Sequence, residues 1–481
     1  MSKIEITDDG MAVLERARRA WVAAGEFRRR RDRFKRFTYG DQWSDRVTDG
    51  FGGTVSEEQY IVNSGKRPLI NNLIRQLVKT VVGRYRAMCA DDGVYSAEDI
   101  AAVACRNALA DLDARVLEEF LISGCAVQRV DNVSRHSGPG VYVDFVDPRN
   151  FFVNAYRDPR GWDVELVGQL HDMSMAEVLN RFGKGDRGRV AILRRLYSSE
   201  ATLARSLSGG GVLGITTPAS QEFVTPAEAG KCRVIEVWTL DSREILTCHD
   251  PERDSVEKVE AGSARARVLD SENRRRAKDA TRMPMSVRND MHMFWRCRWF
   301  APDGTLLDSY ESPYAHGTHP YALRFYPLTD GEVHPFVEDV IDQQKFINRL
   351  IVQLDHILGS SAKGVLLFPV DQLPKNVSWE DVQRNWAACN GIIPITGRGE
   401  MPSQVVANAA NSGAYELLSL QMKLFEQISG VSEALTGRNM SGTTGAELYA
   451  AQVRNATLAL TDLLDTFAAF RADRDKKMMN M

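Results

Sequence analysis

The side chains able to do chemistry in this sequence are few and poorly spaced for it. His316 and His319 lie three apart in the stretch AHGTHP, and His334 follows. Three imidazoles can hold a zinc ion when spacing and a further ligand support them. This stretch is Gly/Pro-rich and carries no acid of its own, so it reads as a loop. The carboxylate pairs Asp41/Asp45 and Asp339/Asp342 have the reach to share a divalent ion. The second pair is explained as simply by the first turn of a helix, where the dipole favours acids. Gly65-Lys66-Arg67 lacks both the upstream glycine and the hydroxyl of a phosphate-cradling loop. H-E-x-x-H and G-x-S-x-G do not occur. The expectation is a protein that is not an enzyme, with no catalytic, cofactor-binding or metal-binding residues and no cofactor.

Stepping from side chains to composition narrows the class. A chain of 481 residues exceeds what one hydrophobic core usually organises. Its apolar share of 43% and charged share of 26% are those of a globular protein. The net charge of -3 and pI of about 6.3 give no global field to pull the chain onto nucleic acid, so any DNA contact must be local or weak. Seven cysteines (Cys89, Cys105, Cys125, Cys232, Cys248, Cys297 and Cys389) are scattered without a CxxC. Such a count reads as reduced thiols, with neither zinc site nor disulfide frame. No apolar run spans a bilayer and MSKIEITDDG has no secretory core, so no membrane partner is expected.

The element on which the rest hangs is Gly331 to Gly359. Phe336, Val337, Val340, Ile341, Ile347, Leu350, Ile351, Leu354, Ile357 and Leu358 recur at helical spacing and cover a broad face. Gln343, Gln344, Lys345, Asn348, Arg349, Gln353 and Asp355 occupy the other face, which is expected to be wet. Upstream, residues 8 to 36 form an Arg-rich helical pattern, with Tyr39-Gly40-Asp41-Gln42-Trp43 as its turn and aromatic anchor. Residues 67 to 90 and 97 to 122 are two further helices. From Gly124 the period changes to two, and Ser137-Gly138-Pro139-Gly140 separates the arms of a hairpin. VELVGQLHDMS is a strand, and MAEVLNRFG a short helix capped by Ser174. A basic helix starting near 184 leads into a linker-like SGGGVLGITTPAS. Residues 231 to 326 alternate again around a charged helix, with a hairpin turn at Pro302-Asp303-Gly304. GVLLFPV reads as a buried strand, Ser378 starts a short helix, and Tyr415 to Ile428 and Ala446 to Met479 are two long ones, the second opening on the capping box Thr444-Gly445-Ala446-Glu447. The fold class is α+β, mainly helical.

Taken in order, YGDQW, the helix holding Asn71 and Val82-Gly83, DPRNFFVNAYRDPRG, MSMAEVLNRFG, HPYALRFYPL, VEDVIDQQKFINRLIVQLDHIL and SGTTGAELYAAQVRNATLALTDLLDTF resemble tailed-bacteriophage portal (head-to-tail connector) proteins, nearest to those of short-tailed phages. The likeness runs from about Tyr39 to Arg471. It implies a ring, typically of twelve copies, at one capsid vertex, with an axial channel for packaging and ejecting double-stranded DNA. It implies a virion location, with assembly in the host cytoplasm. It also implies docking of terminase, of a tail adaptor and of the major capsid protein. Carried onto this sequence, residues 1–185 would be the wing and 186–230 a possible first stem helix and linker. Residues 231–326 would be the clip, 327–360 the second stem helix, 361–412 a return to the wing, and 413–481 channel-proximal and crown helices. Lys345 and Arg349 are then the expected channel-lining residues, and Arg274, Arg275 and Arg276 the expected terminase or tail contacts. Because the sequence stops at Met481, an extended C-terminal barrel is expected to be missing or reduced.

A channel that lets DNA slide must not hold it tightly, because each neutralised phosphate adds affinity through counterion release. The near-neutral charge suits that. Two other classes stay open from sequence alone: a metal-dependent DNA nuclease with ligands the spacing hides, and an adaptor or scaffold protein of the same virion.

Overall fold

The computed structural model describes residues 6–49, 52–91, 98–135, 138–158, 160–198, 222–279, 282–329, 331–361, 365–387, 392–397, 399–405, 411–431 and 460–481, together with residues 4 and 458. The first third holds helices α1 (Asp8–Ala23), α2 (Gly25–Tyr39), α3 (Glu57–Asn63), α4 (Leu73–Asp91), α5 (Glu98–Asn107) and α6 (Leu109–Ser123), with the small hairpin β1 (Arg46–Thr48) and β2 (Thr54–Ser56) between α2 and α3. Strands β3 (Cys125–Arg135), β4 (Gly138–Phe145), β5 (Phe151–Val153) and β6 (Leu166–Met173) follow, then α7 (Met175–Gly183) and α8 (Arg187–Leu196). The middle holds β7 (Cys232–Asp250), β8 (Ser255–Glu260), α9 (Ala264–Arg276), β9 (Ser286–Phe300), β10 (Leu306–Glu311) and β11 (Tyr321–Phe325). The last third holds β12 (Leu328–Thr329), β13 (Glu332–Val333), α10 (Glu338–Ser361), β14 (Val365–Leu367), α11 (Trp379–Ala387), β15 (Ser403–Val405), α12 (Asn411–Ser429) and α13 (Thr461–Met479).

Two cores result. One is helical: Phe34 and Phe37 of α2, Ile74, Leu77 and Val81 of α4, Leu117 and Phe120 of α6, Val340 and Ile347 of α10, and Phe467 and Phe470 of α13 pack together. The other lies around an antiparallel sheet of order β10-β9-β7-β6-β5, with β8 added to the outer half of β7. Both faces are covered. Ile235 and Val237 of β7 meet Val13, Leu14 and Trp21 of α1, while the intervening Val234 and Trp238 meet Phe182 of α7 and Leu193 of α8. This alternation is what a period-two strand between two layers requires.

Several expectations change in detail, each for a local reason. The 8–36 helix is broken at Ala24, and the 97–122 helix at Ala108, whose φ is 47°. At the second break Asn107 bonds outward, donating to the Val141 carbonyl and accepting from the Val143 N–H, which ties the chain to β4. α6 ends at Gly124, with φ of 69°; a Cβ there would stand 2.6 Å from the Tyr326 carbonyl oxygen, so only glycine fits. Residues 328–329 and 332–333 form a hairpin, β12–β13, ahead of the long helix, which begins at Glu338, just after Pro335. GVLLFPV is not a buried strand: among the described residues β14 pairs with β15 alone, and Leu367 is 53% exposed. Ser174 does cap α7, in a full capping box with Glu177. The Thr444 capping box and the whole of the 208–220 linker lie outside the described residues.

The expected boundary at residue 231 runs through the sheet, since Cys232 to Thr239 pair with β6. Only the outer part of 231–326 has a core of its own. There β8, α9 and the outer halves of β7 and β9 enclose Cys248, Val259, Ala266, Leu269 and Met285. Likewise α13 is not set apart from the N-terminal half. Arg474 donates to Asp113 at 2.5 Å and to Gln128 at 3.3 Å, and Lys477 donates to the Thr318 hydroxyl and the His319 carbonyl, both at 2.8 Å.

Candidate assembly surface and long helix

The face of α10 read as wet is only partly so. Gln344 and Asn348 are buried, and they hold three elements together. The Gln344 carbonyl oxygen accepts the N–H groups of Leu73 at 2.9 Å and Ile74 at 3.3 Å, so it caps the first turn of α4 from another helix. Its amide nitrogen donates to the Asn71 carbonyl at 2.6 Å and to the Asn348 side chain at 3.0 Å. Asn348 accepts the Asn71 N–H at 3.1 Å and donates to Gln42 at 2.5 Å. Gln42 donates in turn to the Phe37 carbonyl at the end of α2 and to Asn72. The amides of YGDQW, of the 71–72 pair and of QQKFIN thus form one buried knot. A buried amide needs every partner, so each member fixes the others.

Lys345 and Arg349 sit beside this knot, and neither cation is bare. Lys345 donates to Asp45 at 2.7 Å and stands 3.6 Å from Glu57, its side chain 15% exposed. Arg349 pairs with Glu57 at 2.5 Å and keeps 54% of its side chain exposed. Asp45 also takes Arg33 at 2.9 Å. Burial works to raise the Asp45 pKa, and the hydrogen bonds from Arg33 and Lys345 outweigh it and hold the carboxyl below its ordinary range. The structure therefore brings Lys345 and Arg349 together, around two carboxylates of the same chain.

The three consecutive arginines of α9 do not act alike. Arg274 is exposed and pairs with Asp270 at 2.8 Å, and Arg275 is exposed. Arg276 is buried, donating to Asp250 at 2.7 and 2.9 Å and to Glu272 at 2.8 Å. Its hydrogen bonds pull the Asp250 carboxyl down to about 2. Arg276 is occupied within the chain, whereas Arg274 and Arg275 remain on the surface.

Two features escaped the sequence. The first is an ionic cluster inside the sheet. Glu236 of β7 accepts from Arg129, from Trp238 at 2.8 Å and from Tyr321 at 3.0 Å, and meets His171 at 2.8 Å. Burial alone would raise its pKa, but Arg129 dominates and holds it far below the carboxylate range. The partners come from four strands, and no local spacing announces them. The second is surface. Tyr415, Leu417, Leu420, Met422 and Ile428 of α12 are 38–51% exposed, and Phe346 and Leu358 of α10, against which α12 packs, are bare as well. In sequence α10 shows one broad apolar face, and the exposed apolar residues of α12 are not singled out.

Among the described residues no group of three His, Cys, Asp or Glu could hold a metal. His316 accepts from Thr318, His319 accepts the Tyr321 N–H, and His334 stands 3.3 Å from Glu338, so the three imidazoles are engaged separately. No helix of the described residues is long and apolar enough to cross a membrane. Against known proteins, the model of the phage P22-like portal protein family matches residues 14–481. No curated protein matches the chain.

Proposed function

Because the chain belongs to the family of phage P22-like portal proteins, we propose that it assembles into a ring, of twelve copies, that forms the channel for double-stranded DNA at one capsid vertex. The observation that carries this reading is the bare apolar surface of α10 and α12. Exposed apolar side chains clustered on two packed helices mark a surface completed by another molecule. Copies related by rotation can cover such a surface with a different patch of the neighbour, a heterologous contact that closes into a ring.

On this reading α10 is a stem helix, and the described part of the other stem segment is α8. The clip is the outer extension from about 241 to 294 with its separate core, since the base of 231–326 belongs to the wing sheet. The remaining sheet and N-terminal helices are the wing, with 361–412 returning to it, and α13 belongs to the crown. Lys345 and Arg349 line the channel with their charge tied to Asp45 and Glu57. Paired cations release few counterions from passing DNA, which keeps the duplex sliding. Arg274 and Arg275 of the clip meet the terminase or the tail adaptor, and the wing meets the major capsid protein, in a particle assembled in the host cytoplasm.

Mass photometry and negative-stain images of the purified chain test this. The expected result is a discrete particle of about twelve protomers with a central hole. A monomer at all concentrations, or a closed particle without a hole, contradicts it.

A further inference from the structure

Where α1 passes into α2, an open cleft of about 1030 Å³ is lined by both helices, by Arg149 and Asn150, and by the segment from Glu222 to Arg233. At its edge lies a charge left over. Arg31, Arg129, Arg233, Arg276, Arg298 and Arg474 are buried, and each has a carboxylate within 4 Å, while Arg189, also buried, donates to the Phe182 and Leu307 carbonyls. Arg28 is only 7% exposed and has none among the described residues. Its guanidinium lies 3.5 Å over the Trp21 ring and makes one hydrogen bond, to the Trp21 carbonyl at 2.8 Å. Burial pushes its pKa down to about 10, and the charges of Glu222 and Asp32, which favour the protonated form, do not offset the loss of water.

A buried cation without a counterion is costly, and it persists where something supplies the missing charge. The neighbours show what can fill that place. Arg29 is tied to Glu26, Arg149 to Asp147, and Arg233 to Asp172. Four arginines line the cleft, three of them held by Glu26, Asp147 and Asp172, which leaves Arg28 as the one without a carboxylate within 4 Å among the described residues, and Asn150 and Thr225 stand on its walls. Stacking on Trp21 leaves the guanidinium edge to bind an anion through two parallel N–H groups.

We propose that this cleft is a phosphate-binding site, with Arg28 as its central contact and Glu222 as an acid that weakens it. The phosphate is either a free ion or a group of a nucleic-acid backbone. Neither case depends on ring formation.

Thermal unfolding of the full chain is compared in sodium phosphate and in sodium chloride of equal ionic strength. Wild type gains a few degrees in phosphate, roughly 3 °C if the salt is about a hundredfold above its Kd. Arg28→Gln loses the gain and Glu222→Gln enlarges it. Titration with a short duplex at fixed salt separates the sources. Weaker duplex binding by Arg28→Gln assigns the site to a nucleic-acid backbone, while equal duplex binding with the phosphate gain lost assigns it to the free ion. Equal responses of wild type and Arg28→Gln to both probes overturn the proposal. So does a Glu222→Gln chain that is destabilised in chloride, because Glu222 is then the internal partner of Arg28. Should Arg28→Gln not fold, the unchanged phosphate response of Glu222→Gln overturns the proposal by itself.

Discussion

The sheet and the α10–α12 pair handle exposure in opposite ways. Around Glu236 the chain buries charges and surrounds them with partners of its own: Arg129, His171, Trp238 and Tyr321 all reach one carboxylate. On α12 it leaves Leu420 and Met422 in water, although they have the composition of a core. The sheet covers its charges within one chain, while the helix pair leaves apolar side chains exposed. On the proposed reading, that difference separates residues that set the stability of a protomer from residues that set what the protomer joins.

The sharpest way to break the comparison is to remove one member of the sheet cluster. Arg129→Met leaves the buried Glu236 carboxylate without its guanidinium counterion, and should cost about 3–5 kcal/mol of protomer stability by chemical denaturation. A loss below about 1 kcal/mol would mean that water reaches the cluster and that the sheet is not closed.

Next in size is the amide knot. Gln344→Ala strands the Leu73 N–H and the Asn71 carbonyl, and should cost about 1–3 kcal/mol. Gln343→Ala, one residue away on the helix, is the control that should cost less.

A smaller effect comes from pH, through the seat of α13. Burial, and then the Lys477 charge, push His316 down to about 4 from an ordinary 6.5. Between those values the unfolded chain takes up a proton that the folded chain refuses, so stability is full above pH 6.5 and falls as the pH drops toward 4. Lys477 is itself pushed down to about 8 by burial. Its folded form gives up the proton first, so stability rises from pH 8 toward 10.5. Hydrogen exchange of α13 at pH 5, 7 and 9 reads both trends, with protection lowest at pH 5. Equal protection at all three values would show that Lys477 and His316 stay hydrated.

The smallest effect on the protomer is expected on the bare helix. Leu420→Lys should move its stability by less than about 0.5 kcal/mol, because water already touches the side chain. Its consequence belongs to assembly.

Much of this contrast was legible before the fold. Period-two alternation placed the strands, Ser174 announced the start of α7, and the broad apolar face of α10 announced a long helix packed against the rest of the chain. What stayed hidden depends on side chains that meet across distance. Gln344 and Asn348 looked like a solvated face because nothing in their own stretch shows that the start of α4 needs them as caps. Arg276 looked like its neighbours Arg274 and Arg275, yet the helix turns it toward Asp250. Lys345 looked free because Asp45 and Glu57 lie some 300 and 288 residues earlier in sequence.

Mass photometry of wild type beside Leu420→Lys is the most direct measurement. Wild type is expected to form a discrete particle near twelve protomers, and the variant to remain monomeric with an unfolding midpoint unchanged. Rings formed equally well by both chains would contradict the claim that α10 and α12 are completed by a neighbouring copy.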